Sequence, residues 1–214
     1  MVLAVLFACC VVAAPKSLFD GRTSAGWVEV TGKPFPEGSW QIEAGCLRAF
    51  AGAKGNQDIR TIDSFGSFEF DFEWKILANG NSGVKYLLQK IDEWTNQAGR
   101  QARARGPEYQ LADDAGPEAT SDPKRSSGSL YSYLAPNPHV PTRIGAFNQS
   151  RLIVRGSHVE HWLNGVKVVS YDTSAPELLK LLPSFPAAPH PSPIALQNHG
   201  TPVWFRNLKV QPLD

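Results

Sequence analysis

Cysteine, methionine and long apolar runs are nearly missing from this chain, and each shortage removes a class of protein. Three cysteines and one methionine occur among 214 residues. Cys9 and Cys10 fall in an apolar leader, so a chain that loses the leader keeps Cys46 alone and closes no internal disulfide. The fold must then stand on its core. Charge of one sign is lacking too. Lysine and arginine number 21 against 20 acids, a formal net charge of +1. No basic stripe appears, so nucleic acid is not an expected partner. The RQARAR run at 100–105 reads as a solvated loop. HExxH, CxxC, a serine nucleophile elbow and a phosphate-cradling glycine loop are all absent.

No transmembrane segment is expected either. The run MVLAVLFACCVVAA at 1–14 is too short to span a bilayer. It reads as a secretory signal peptide, with VAA before Pro15 as the cleavage site. A periplasmic or extracellular location follows. The alternatives are a lipid-bearing cysteine after Leu6-Phe7-Ala8 and a buried N-terminal strand. Residues 15–214 then form one domain. Oligomeric state is left open.

What the chain does have is turns and aromatic strands. Eighteen glycines and 17 prolines argue against a helical bundle, while 11 Phe, 6 Trp and 5 Tyr supply a large apolar interior. The clearest strand is SFEFDFEWKIL at 67–77. Phe68, Phe70, Phe72, Trp74 and Ile76 share one face, and Glu69, Asp71, Glu73 and Lys75 the other. GVKYLLQK at 83–90 is expected to pair with it as a hairpin. SRLIVRG, SHVEHWL and VKVVSYD form a meander, with Asn164-Gly165 as a two-residue turn. SWQIEAGCLRAF at 39–50 turns at Glu-Ala-Gly. Residues 91–106 and 115–127 read as polar loops, and 174–185 as a short helix ended by Pro183. Many strands with little helix predict an all-β sandwich of two antiparallel sheets. No cysteine pair flanks a buried tryptophan in the immunoglobulin manner.

Candidate chemistry concentrates in a few places. PIALQNHGTPVWFRNLK at 193–209 brings Gln197, His199 and Arg206 around one turn beside Trp204 and Phe205. Strict alternation would put Val203, Phe205 and Asn207 on one face, and Trp204, Arg206, Leu208 and Val210 on the other. An arginine among apolar neighbours needs a partner, and is either stacked and paired for structure or aimed into a cleft. Glu108 and Gln110 share a face of PEYQLADD, giving one base and one amide; an edge charge is the plainer reading of Glu108. His158 and His161 lie three apart, on opposite faces of a strand, so they cannot chelate one metal together. His161 is the inward one, a core histidine or a base. Gly83 lets backbone approach a ligand, and Lys85 follows it. Glu69, Asp71 and Glu73 are most simply a solvated face, although glycosidases do use paired carboxylates.

These pieces resemble, in order, a known family. SLFDGRTSAGW at 17–27, FEFDFEWKI with NSGVKYLLQ at 68–89, PEYQLADD at 107–114, GSLYSYLAP at 128–136, HVEHWLNG at 158–165 and LQNHGTPVWFRN are similar to the signature segments of the 3-keto-disaccharide hydrolases. The resemblance implies a concanavalin-like jelly-roll sandwich acting on a carbohydrate substrate oxidised at C3. A C3 ketone acidifies the C2 hydrogen. One base and one enolate stabiliser then expel the C1 substituent, and water adds to the enone. On that reading the base is Glu108 or His161, and the oxyanion is steadied by Arg206, His199 or a bound divalent metal. Gln110, Lys85, Gln197, Trp204 and Tyr131 would bind the sugar. No cofactor is otherwise implied. A lectin-like module stacking sugars on Trp94, Tyr131 or Trp162 is the alternative, and a structural surface domain a third.

Overall fold

The computed structural model describes residues 14–52, 55–97, 99–181 and 190–213. Apart from Ala14, the proposed leader lies outside the described residues, as does Pro183. Two antiparallel sheets pack face to face. The larger contains β1 (Lys16–Ser17), β3 (Trp40–Glu43), β4 (Cys46–Ala49), β6 (Phe68–Ile76) and β11 (Asn148–Arg155). It is completed by β12 (His158–Leu163), β13 (Val166–Asp172) and β15 (Val203–Pro212). The smaller contains β2 (Trp27–Glu29), β5 (Ile59–Thr61), β7 (Asn81–Lys85), β10 (Glu108–Ala112) and β14 (Ala195–Leu196), in the order β10-β7-β14-β5-β2. A separate hairpin joins β8 (Lys90–Asn96) to β9 (Gly99–Arg105). Among the described residues helix is confined to α1 (Pro117–Ser121), a 3-10 turn at Pro123–Arg125 and α2 (Pro176–Leu181). This is a concanavalin-like jelly-roll sandwich.

The alternation of β6 is what sets the layers. Its five apolar side chains are buried and its four charged ones lie at the outer surface. Phe70 stacks on Phe72 at 5.0 Å, and Phe72 meets the edge of Tyr109 from the opposite sheet at 5.6 Å. Each fully buried aromatic of this kind contributes roughly 1.5–3 kcal/mol. The indole of Trp74 donates to Ser150 Oγ at 2.8 Å, so its one polar atom is satisfied. On the outer face Arg151 pairs with Asp71 and Glu69, and Arg206 with Glu73.

Three expectations are corrected. β7 does not form a hairpin with β6: β11 and β15 already occupy both edges of β6. The chain turns at Asn79 and Gly80 and crosses to the smaller sheet, where β7 sits between β10 and β14. Covered on both faces, β7 shows no hydrophobic alternation. Residues 91–106 are largely the β8–β9 hairpin, not a loop; its mostly polar, partly exposed strands carry too little apolar signal to announce it. Residues 115–127 hold α1 and the 3-10 turn.

A fourth correction concerns β15. Its register against β6 slips between Arg206 and Lys209, and Asn207 stands at φ 52°. The extra residue is a β-bulge. Trp204 and Arg206 therefore face outward, while Leu208 and Val210 return to the core with Val203 and Phe205. The arginine buried among aliphatics does not exist. The NG turn behaves as expected, with Asn164 and Gly165 both at positive φ.

Candidate active site on the smaller sheet

The outer face of the smaller sheet carries a cavity of about 370 Å³. Period-two geometry supplies its floor. Tyr109 and Leu111 of β10 enter the core, so Glu108 and Gln110 point the other way. Their cross-strand partners on β7 are Lys85 and Gly83. Ala195 of β14 lies beyond Lys85, and Gln197 follows two residues later. Gly83 is needed for a reason other than ligand approach. A Cβ there would stand 2.3 Å from Glu108 Oε1, so the glycine makes the space in which the carboxylate lies.

The floor is a closed network of hydrogen bonds. Only one orientation of the Gln197 amide matches donors to acceptors. In it, Nε2 donates to Glu108 Oε1 at 3.0 Å and to His199 Nε2 at 2.8 Å, while Oε1 accepts from Lys85 Nζ at 3.2 Å. Gln110 Nε2 likewise donates to Glu108 Oε1 at 3.2 Å and to Ser82 O at 3.1 Å. Lys85 Nζ lies 3.4 Å from Glu108 Oε2 and donates to Ala104 O at 3.1 Å. Because His199 Nε2 accepts, the ring proton sits on Nδ1.

Burial raises the Glu108 carboxyl above its ordinary range, against the pull of Lys85 and Arg103. Burial, helped by Arg103 and Lys85, drops His199 to about 4. The site therefore holds a carboxyl group of raised basicity beside an imidazole that is neutral at pH 7. Tyr131 reaches the wall through a loop whose Tyr131 N donates to Glu108 O at 3.0 Å, and its hydroxyl donates to Glu118 at 2.7 Å.

Of the residues expected from the sequence to form a site, Glu108, Gln110, Lys85, Gln197, His199 and Tyr131 line this one cavity. His161, Arg206 and Trp204 do not. His161 faces the interior between the sheets, where Nε2 meets Tyr86 Oη at 2.7 Å and Nδ1 meets Gly128 O at 2.9 Å. Arg206 lies on the outer face of the larger sheet, 2.7 Å from Glu73 and over the Phe147 ring. Trp204 shares that face, donating to Glu43 Oε1 at 2.9 Å with Lys75 over its ring. Trp204 and Arg206 alternate with inward Val203 and Phe205 on β15 of the larger sheet, and His161 points into the core from β12, so none of the three reaches the cavity.

Several functional positions escaped the sequence reading, Lys90 of β8 among them. Arg103 and Arg105 line the cavity from β9. The Arg-Ala alternation of RQARAR was their signal, since it places both arginines on one face of a strand. Asp58 and Asn198 work from behind. Asp58 Oδ1 accepts from Asn198 N at 2.9 Å, and Asn198 Oδ1 accepts from Gly200 N at 2.7 Å. Asn198 Nδ2 donates to Ser39 O and Phe50 O. These bonds hold the turn that carries His199. Nothing in local periodicity marks them.

A divalent metal is a poor fit to these donors. Glu108 and His199 are the cavity's carboxylate and imidazole, both are engaged by Gln197, and the Lys85 ammonium stands against the carboxylate. Among the described residues no group of three or more His, Cys, Asp or Glu is gathered as a metal cluster. No helix of the described residues is long and apolar enough to cross a membrane.

Comparison with known proteins agrees with the resemblance. A curated 3-keto-disaccharide hydrolase from Bacteroides thetaiotaomicron is 31% identical over 228 positions, covering 92% of this chain and 78% of the relative. A crystal structure of a putative glycosyl hydrolase from Parabacteroides distasonis superposes with a TM-score of 0.76 at 27% identity, covering 92% of this chain and 93% of that one. The exoplasmic domain of VIP36, solved with Ca²⁺ and Man3GlcNAc bound, shares the fold at a TM-score of 0.54 and 11% identity, covering 94% of this chain and 91% of that one. The family profile described as the 3-keto-alpha-glucoside-1,2-lyase-like domain matches residues 14–211, and this chain belongs to that family.

Proposed function

We propose that the protein is a carbohydrate-active enzyme that cleaves the glycosidic bond of 3-keto-glucosides or 3-keto-disaccharides by elimination followed by hydration. One observation carries this reading: among the described residues a single carboxylate, Glu108, lines the cavity. Direct hydrolysis through an oxocarbenium-like transition state needs a pair of carboxyl groups across the scissile bond. Elimination needs one base and one group that receives the enolate charge. Glu108 and neutral His199 match that demand.

Glu108 takes the C2 proton, and the C2–H electrons move to the C3 carbonyl oxygen. The Nδ1–H of His199 donates to that oxygen, within the positive field of Lys85 and Arg103. When the carbonyl re-forms, a C1–C2 double bond forms and the C1–O bond breaks. The proton held by Glu108 is the one the departing oxygen requires. Water then adds its oxygen to C1 and a hydrogen to C2. Gln197 and Gln110 keep the carboxylate aimed, and Lys85 opposes the rise that burial imposes on it.

The test is isotopic. Reaction in deuterated water should place deuterium at C2 of the released keto sugar, and a disaccharide without the C3 ketone should be inert. Efficient cleavage of unoxidised sucrose, maltose or trehalose, with no label at C2, would overturn the mechanism. Sugar binding without turnover would return the chain to the lectin-like reading.

A further inference from the structure

The charge around the cavity is lopsided. Among the described residues Lys85, Lys90, Arg103 and Arg105 line it, against Glu108 alone on the acidic side. Two of these cations belong to the floor: Lys85 faces Glu108 at 3.4 Å, and Arg103 faces the buried Asp58 at 3.5 Å. Lys90 and Arg105 do not. They stand directly opposite each other on β8 and β9, so their side chains leave the hairpin on one face. Like charges in that position repel. Both lean on a single carboxylate, Asp92, at 3.0 and 2.6 Å. The rim therefore keeps one positive charge in excess. Its side chains are 65% and 54% exposed, against 6% and 11% for Lys85 and Glu108.

That exposure gradient orders the substrate. Resting on the elimination reading, the keto-sugar ring must present C2 to buried Glu108 and so fills the floor. Whatever is attached at C1 extends towards the mouth, where Lys90 and Arg105 stand. A like-charged cross-strand pair costs stability in the empty protein and becomes favourable when an anion neutralises it.

We propose that the Lys90–Arg105 rim is a specificity site for a negatively charged group (carboxylate, sulfate or phosphate) on the leaving-group side of the substrate. It is selective for the position of the charge. An anionic group on the keto sugar itself would lie in the floor beside Glu108 rather than at the rim.

The experiment compares three 3-keto-α-glucosides: one with a 4-carboxyphenyl leaving group, its neutral 4-carbamoylphenyl twin, and a 3-keto-glucuronide carrying the neutral leaving group. The first should exceed its twin in kcat/KM by about fivefold at low salt, and by little at high salt, as expected for a half-exposed ion contact. The glucuronide should show no such gain. In the K90Q/R105Q double variant the carboxyl-to-carbamoyl ratio should fall to about one. A ratio of one in the unmodified protein, or a ratio unchanged in the double variant, overturns the proposal, as does an equal gain from charge on the sugar. Calorimetric binding of the unoxidised carboxyphenyl and carbamoylphenyl glucosides gives the same ratio without chemistry. If no keto-glucoside is cleaved, the elimination reading fails while the binding ratio still decides the rim.

Discussion

The two sheets use the same device on their outer faces, with opposite results. On the larger sheet, Arg206 of β15 meets Glu73 of β6 at 2.7 Å as cross-strand partners. On the smaller sheet, Lys85 of β7 meets Glu108 of β10 at 3.4 Å as cross-strand partners. The first pair is 42% and 19% exposed, the second 6% and 11%. Burial works to raise Glu73 as well, yet hydrogen bonds from Asn207 and Arg206 outweigh it and hold the carboxyl below its ordinary value. At Glu108 burial wins and the carboxyl rises. An ion pair in reach of water is screened and inert. A comparable pair roofed by the β8–β9 hairpin and the Tyr131 loop supplies, on the proposed reading, the base of the reaction. The difference lies in the covering and in the donors each carboxylate meets: Asn207 and Arg206 at Glu73, Lys85 at a more deeply buried Glu108.

The sharpest way to break that contrast is to remove one charge from each pair. Glu108→Gln keeps the shape and the amide contacts, and should lower kcat/KM by about 10²–10⁴-fold with the 3-keto substrate, the range of a lost general base. Glu73→Gln should change kcat/KM less than about twofold, while costing on the order of 1 kcal/mol in denaturant unfolding. Comparable losses of activity from both would show that the covering of the smaller sheet has no catalytic meaning.

His161 extends the contrast to the interior. Burial depresses it to about 4 from an ordinary 6.5, so it is neutral in the folded protein. Unfolded chains bind its proton between those values and the folded chain does not. The stability it confers is complete above pH 6.5 and is lost as pH falls towards 4. His161→Gln should therefore flatten part of the acid-side fall in stability. His199, equally depressed, contributes a further part of that fall. The substitution also disturbs the contacts to Tyr86 and Gly128, at a cost of about 1–3 kcal/mol. In the folded fraction kcat/KM should stay within about threefold, since a core residue touches no substrate. A larger loss, with stability intact, would put His161 back in the reaction.

Strand alternation carried most of the fold from the sequence, and half of the site. Glu108 and Gln110 share a face because Tyr109 and Leu111 are apolar, and that pattern is local. The meander from Ser150 to Asp172 was legible for the same reason. β7 was misplaced because a strand covered on both faces has no alternation to read, and because pairing partners are non-local. Arg206 was misread through one residue. The bulge at Asn207 reverses the faces of everything after it, and asparagine at a positive φ leaves no hydrophobic mark. Asp58 and Asn198 were invisible, since their meaning lies in contacts from Ser39 to Gly200 that only the folded chain assembles.

The smallest effects should come from the face that the sequence favoured and the fold sets aside. Arg206 bonds Glu73 at 2.7 Å and lies 3.6 Å from the centre of the Phe147 ring. Its side chain is nonetheless 42% exposed, so water screens the pair and competes for the guanidinium. Arg206→Ala should cost about 1 kcal/mol or less, mostly from lost contact with Phe147, and should leave kcat/KM unchanged. Asn207→Gly should be nearly neutral. Glycine adopts the φ of 52° without strain, which offsets the lost hydrogen bond to Glu73. Denaturant midpoints and kinetics on the same preparations measure both. A tenfold fall in kcat/KM for Arg206→Ala would mean that the outer face of the larger sheet takes part in catalysis. The cavity on the smaller sheet would then be only one portion of the working site.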